Sequence, residues 1–119
     1  MPIASDSAVQ QLDGADLEAA LTNTRWAMVE FWADWCLFSR LLKPKMEWLA
    51  QRYPGRLTVI RCRVDGAEPV LARWRIRYLP ALLLVQAGRP VRRWYGDTPV
   101  NEFCRAIQAV TEYEHDCAD

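Results

Sequence analysis

The segment Trp26–Trp32 carries one charge, Glu30, in seven residues. Four residues after it the chain reads Cys36-Leu37-Phe38-Ser39 at the head of a helical stretch. A short apolar run of this kind, rich in aromatics, reads as a strand buried on both faces. From about residue 36 to 53 a helix is expected, with Pro44 inside to kink it and Pro54-Gly55 to stop it. A buried strand that feeds a helix through a short turn demands a layered α/β arrangement, because each face of the sheet must be covered.

The rest of the chain continues this alternation. Residues 8–12 suit a short edge strand. Asp13 is placed to N-cap a helix running to about residue 22, with Leu17 and Leu21 on one face. Residues 57–64 alternate and are β-branched, hence a strand. Residues 69–74 form a short helix with Pro69 in its first turn. Ala81–Gln86 is a continuous apolar strand, 87–90 a turn and 91–95 a returning strand. Thr98-Pro99 opens a last helix whose apolar stripe is Val100, Phe103, Cys104, Ile107 and Val110. The order predicts an α/β fold: a central mixed sheet of about five strands with helices on both faces. It forms one domain over residues 1–119, with a core at about 8–110 and an acidic tail at 111–119.

At 51% hydrophobic residues, the chain buries a core without disulfides or metal. No apolar run reaches membrane-spanning length, so no membrane association is expected. The first thirteen residues show no basic stretch followed by an apolar one, which favours a cytoplasmic protein without a secretory signal. Cysteines at 36, 62, 104 and 117 are spaced like neither a zinc site nor a dense disulfide framework. Mostly reduced thiols, no metal and no cofactor are expected. Net charge is zero but uneven: residues 40–93 are net +10 and each flank is net −5. Two readings stay open, intramolecular ion pairs across the fold or a basic face for an acidic partner. Nucleic acid is not an expected partner.

Phe31-Trp32-Ala33-Asp34-Trp35-Cys36, Lys43-Pro44, Arg77-Tyr78-Leu79-Pro80-Ala81, Gly88 and Gly96 follow one another in an order and spacing that resemble the thioredoxin family. The resemblance spans about residues 8–110 and implies the thioredoxin fold. The centre departs from the family's usual W-C-G-P-C. It reads Trp35-Cys36-Leu37-Phe38-Ser39, with serine in place of the second cysteine. In this it is similar to CxxS members of the protein disulfide isomerase family, which hold clients through mixed disulfides. Their cellular role is not expected to carry over, since neither a signal nor a retention tail is seen.

The resemblance implies roles for individual residues. Cys36 would be the nucleophile at an exposed helix start, where free N–H groups and the helix dipole favour a thiolate. Ser39 would donate a hydrogen bond to the Cys36 sulfur, but it cannot resolve a mixed disulfide. Leu79-Pro80 would be a cis peptide that docks an extended client by strand addition. Trp35, Leu37, Phe38, Tyr78, Leu79 and Pro80 would form an apolar contact surface around the sulfur. Arg40, Arg73, Arg75 and Arg77 are candidate rim charges. Glu30 falls at the family's buried-acid position and Arg61 at that of a lysine on the next strand, which implies a buried supporting pair. Cys62 and Cys104 are expected in the core, Cys117 in the tail, and Trp26, Trp48, Trp74 and Trp94 in packing roles.

Two functional readings follow. One is a single-cysteine thiol–disulfide protein that forms mixed disulfides with a protein client or a small thiol such as glutathione. If catalytic, it is an oxidoreductase of monothiol type. The other is a non-catalytic adaptor or chaperone that binds an apolar extended client in the same groove. A monomer or weak dimer is expected.

Overall fold

The strands assemble in the order β1-β3-β2-β4-β5. The computed structural model describes residues 8–66 and 68–111. In chain order these are β1 (Val9–Asp13), a 3-10 turn (Gly14–Asp16), α1 (Leu17–Leu21), β2 (Trp26–Trp32) and α2 (Phe38–Arg52). Then come β3 (Thr58–Arg63), α3 (Pro69–Arg73), β4 (Ala81–Gln86), β5 (Arg89–Tyr95) and α4 (Val100–Thr111). β3 pairs in parallel with β1 and β2, while β4 is antiparallel to β2 and β5. This is the predicted mixed five-stranded sheet.

Side chains of a strand alternate between faces, so β2 serves two cores. Trp26 and Met28 point to one core, shared with Leu42, Met46 and Leu49 of α2 and Phe103 and Ile107 of α4. Ala27, Val29 and Phe31 point to the other, shared with Leu17 and Leu21 of α1 and Val70 and Trp74 at α3. Burial on both faces explains why β2 and β4 read as unbroken apolar runs. Glu30 keeps the parity of Met28, and Arg61 that of Val59, so both lie on the α2–α4 face. Register then sets them side by side, because Glu30 pairs with Arg61 across β2 and β3.

Three local expectations differ from the structure. Asp13 caps no α-helix: its side chain makes no capping bond, a 3-10 turn intervenes and α1 is only five residues long. Gly14 explains the tight path, since a Cβ there would lie 2.8 Å from Val70 Cγ1. β5 begins at Arg89 rather than 91. Pro90 is accommodated because β5 is an edge strand and its pairing with β4 shifts register at Leu84/Val85. The hairpin turns through Ala87 and Gly88, both at positive φ. Trp48 is not a core residue; it lies exposed on the outer side of α2, with the Arg52 guanidinium 6.0 Å from its ring centre.

The uneven charge resolves in part within the molecule. Arg61 pairs with Glu30, Arg63 with Asp34, Arg73 with Glu18 and Lys45 with Asp97. Each pair joins the basic middle of the chain to an acidic flank. Arg73 is thereby drawn to α1 and is not a rim charge of the Cys36 site. Among the described residues, no helix is long and apolar enough to cross a membrane.

Candidate functional site

β2 ends at Trp32 and the chain turns into α2 through hydrogen bonds that leave no slack. Cys36 N donates to Ala33 O at 3.1 Å, Ser39 N to Cys36 O at 3.2 Å and Arg40 N to Leu37 O at 3.1 Å. Cys36 therefore precedes the first turn of α2, and Leu37 at the N-cap supplies no side-chain cap. Inside the helix Pro44 has no N–H to give to the carbonyl of residue 40.

Cys36 is not exposed as expected; it is only 8% accessible. Its Sγ lies 3.5 Å from the Leu79 carbonyl oxygen, to which the thiol donates. The Leu79–Pro80 peptide is cis, and the Pro80 carbonyl accepts from Gly96 N at 2.8 Å. The loop is thereby joined to the end of β5. Tyr78 stacks edge-on against Tyr95, ring centres 5.5 Å apart, which adds Tyr95 to the surface beside the loop. Sequence reasoning missed Tyr95, because only the hairpin β4–β5 brings it next to Tyr78.

Ser39 also departs from expectation. It is 2% accessible, and its hydroxyl has no hydrogen-bond partner among the described residues. It does not bond the Cys36 sulfur, which faces the Leu79 carbonyl instead. The Ser39 carbonyl, in contrast, accepts from Arg61 Nη2 at 3.2 Å.

Beneath the turn, Arg61 Nε donates to Glu30 Oε1 at 2.7 Å and Nη2 to Glu30 Oε2 at 3.4 Å. The guanidinium also sits 4.5 Å from the centre of the Trp32 ring. One buried arginine thus ties β2, β3 and the first turn of α2 together. Burial pushes the Glu30 carboxyl above its ordinary range, although the hydrogen bonds and charge of Arg61 pull the other way. Trp32 was not singled out in the sequence; an aromatic two residues after a buried acid, hence on the same strand face, is the signal that was available.

Leu37 and Phe38 point outward, 71% and 58% accessible, so they do not fold over Cys36. Trp35, Tyr78 and Leu41 are exposed beside them in the sequence or at the loop. Trp35 is held by its indole N–H, which donates to Asp65 O at 3.2 Å. That loop is itself fixed by the Glu68 carboxylate, which accepts from Asp65 N at 2.9 Å and Gly66 N at 3.2 Å. Asp65 and Glu68 are positioning residues that the sequence reading passed over. The acid just before Pro69 at a helix start was the available clue.

Cys36 and Cys62 are free thiols. Cys62 is in the core, its thiol pushed up to about 12 chiefly by burial, then by the charges of Glu68, Asp13 and Asp16. It stays protonated at neutral pH and is no second nucleophile. Cys104 is buried in the core on α4, as expected, and is disulfide-bonded, against the expectation of mostly reduced thiols. Cys117 lies outside the described residues. Among the described residues, no three His, Cys, Asp or Glu side chains converge as a metal site.

The thioredoxin family model matches residues 8–109. The thioredoxin of Alicyclobacillus acidocaldarius subsp. acidocaldarius is 30% identical over 92 residues, covering 77% of this chain and 88% of that protein. The thioredoxin of Haemophilus influenzae is 28% identical over 102 residues, 85% of this chain and 95% of its own. Endoplasmic reticulum resident protein 44 of Mus musculus is 31% identical over 111 residues, 88% of this chain but 26% of that longer protein.

Proposed function

We propose that this chain, which belongs to the thioredoxin family, is a one-cysteine thiol–disulfide protein that captures clients as mixed disulfides. The observation that carries the reading is the contact of Cys36 Sγ with the Leu79 carbonyl of the cis-proline loop, with serine one turn on. A client strand laid along that loop brings its sulfur to Cys36. The Cys36 thiolate attacks the client disulfide. A bond forms between Sγ and one client sulfur, the client S–S bond breaks, and the other sulfur leaves as a thiolate. Ser39 cannot reverse this step, so release falls to an external thiol.

The test is a non-reducing gel after incubation with a disulfide-bonded client peptide. A covalent adduct is expected for wild type, none for Cys36→Ser, and the adduct should persist until glutathione is added. Absence of an adduct at Cys36 would sink the reading.

The exposed Leu37 and Phe38 favour a second reading, a non-covalent adaptor that grips an apolar client through the same surface. Truncating a well-packed apolar anchor at an interface costs about 2 kcal/mol or more. Replacing Leu37-Phe38 by Gly-Pro is therefore expected to weaken capture of clients by Cys36→Ser protein about thirtyfold. Unchanged retention by calorimetry would remove the adaptor reading and leave the covalent one standing.

A further inference from the structure

A cavity of about 350 Å3 opens beside Cys36, and Trp32, Ser39, Arg40, Lys43 and Arg61 share its wall with the cysteine. None of Tyr78, Leu79 or Pro80 belongs to it. Sheet order explains the separation: β3, which carries Arg61, flanks β2 on one side, and β4, which follows the cis-proline loop, flanks it on the other. Cys36 thus stands between the cis-proline loop, to whose Leu79 carbonyl its thiol donates, and this recess.

The recess is built for negative charge. Arg40 and Lys43 are exposed, and neither forms an ion pair among the described residues. Asp34, the acid on the wall, is engaged by Arg63. Trp32 and Ser39 also line the recess; the Trp32 indole N–H and the Ser39 hydroxyl lack a hydrogen-bond partner among the described residues, but both atoms are buried beneath the wall. Two exposed cations on the wall of a cavity that also holds Cys36 match a small carboxylate, and the volume suits a molecule of a few residues at most.

We propose that this recess binds a carboxylate-bearing low-molecular-weight thiol, and that the docked thiol performs the release step that Ser39 cannot. The inference rests on the mixed-disulfide reading above. In the adduct, Cys36 Sγ is bonded to the client sulfur on the groove side. The docked thiol loses its proton and attacks Sγ from the recess. A bond forms between the small thiol's sulfur and Sγ, the client–Sγ bond breaks, and the client leaves as a thiolate that takes up a proton. A second molecule of the same thiol attacks the new mixed disulfide, giving the small-molecule disulfide and free Cys36. Two thiols are oxidised and one client disulfide is reduced.

Two measurements test this. The first needs no sulfur chemistry: Cys36→Ser protein is titrated with S-methylglutathione while the indole N–H resonances are followed by NMR. The Trp32 signal, assigned with Trp32→Phe, is expected to move and saturate. Binding should weaken about tenfold in R40E/K43E, as expected for reversing two exposed charges at a binding rim. The second follows decay of a preformed Cys36–peptide disulfide in glutathione or in 2-mercaptoethanol, which has no carboxylate. The glutathione rate should saturate with concentration, and the ratio of glutathione to 2-mercaptoethanol rates should fall about tenfold in R40E/K43E. A Trp32 signal that does not respond, or a rate ratio unaffected by charge reversal, overturns the proposal. If no adduct forms at Cys36, the thiol reading fails, while the titration still reports on the recess alone.

Discussion

Glu30→Ala is expected to lower the stability of the fold by about 3–5 kcal/mol, the usual cost of removing one partner from a buried ion pair. For a chain of this size that corresponds to a fall of roughly 15–30 °C in Tm. The reason lies in what remains. Arg61 would keep the Ser39 carbonyl and the Trp32 ring but lose two hydrogen bonds to a carboxylate, with its charge still buried. Replacing both residues, as Glu30→Leu with Arg61→Met, is expected to cost much less, because no uncompensated charge is left. Thermal unfolding of the single and double variants checks both statements; equal losses would show that the pair is not the unit that matters.

The same pair has a pH signature. Burial holds the Glu30 carboxyl above its ordinary range in the folded protein. Between the ordinary value and the raised one, the folded chain keeps a proton that the unfolded chain has released. Stability contributed by this group is therefore highest below the ordinary carboxyl value and is lost as pH rises through the folded one. Glu30→Gln removes this slope. Asp34 has the opposite sign in a different window: hydrogen bonding to Arg63 holds it below its ordinary range, so its small, solvent-screened contribution is lost only as pH falls below that range.

Ser39→Cys is expected to shorten the lifetime of Cys36 mixed disulfides by tenfold or more in the absence of added thiol. The hydrogen bond from Ser39 N to Cys36 O places the two side chains one turn apart, so a sulfur at 39 joins Cys36 on a closed backbone. An intramolecular thiol acts at an effective concentration of at least about the millimolar range, with no encounter step. Its attack on Cys36 Sγ frees the client and leaves Cys36 in a disulfide with the introduced sulfur. Mass spectrometry of the variant after reaction with a disulfide peptide should find the closed pair, and the gel adduct should be nearly gone. An adduct as long-lived as in wild type would mean that more than the missing sulfur keeps the client attached.

How far the site could be read in advance depended on the distance over which each feature is encoded. β2 and β4 were legible from their apolar runs, to the residue. The start of α1 was not, because Gly14 is held by its close approach to Val70, more than fifty residues away. Glu30 and Arg61 were legible as candidates through the family resemblance. The bond of the Cys36 thiol to the Leu79 carbonyl and the unpartnered Ser39 hydroxyl were not, because the loop that carries Leu79 lies some forty residues away in the chain.

By itself the sequence determined the alternation of elements, the two-faced burial of the central strands and the single sulfur at position 36 with an oxygen at 39. Those are properties of side-chain chemistry and period, which act within a few residues. Only the tertiary structure decided that Cys36 is covered, that its thiol faces the cis-proline loop and that the Ser39 hydroxyl makes no bond to the Cys36 sulfur. It also decided that Arg40 and Lys43 meet Trp32 and Ser39 around one recess. These depend on which strands become neighbours, and strand order is set by the packing of both sheet faces at once.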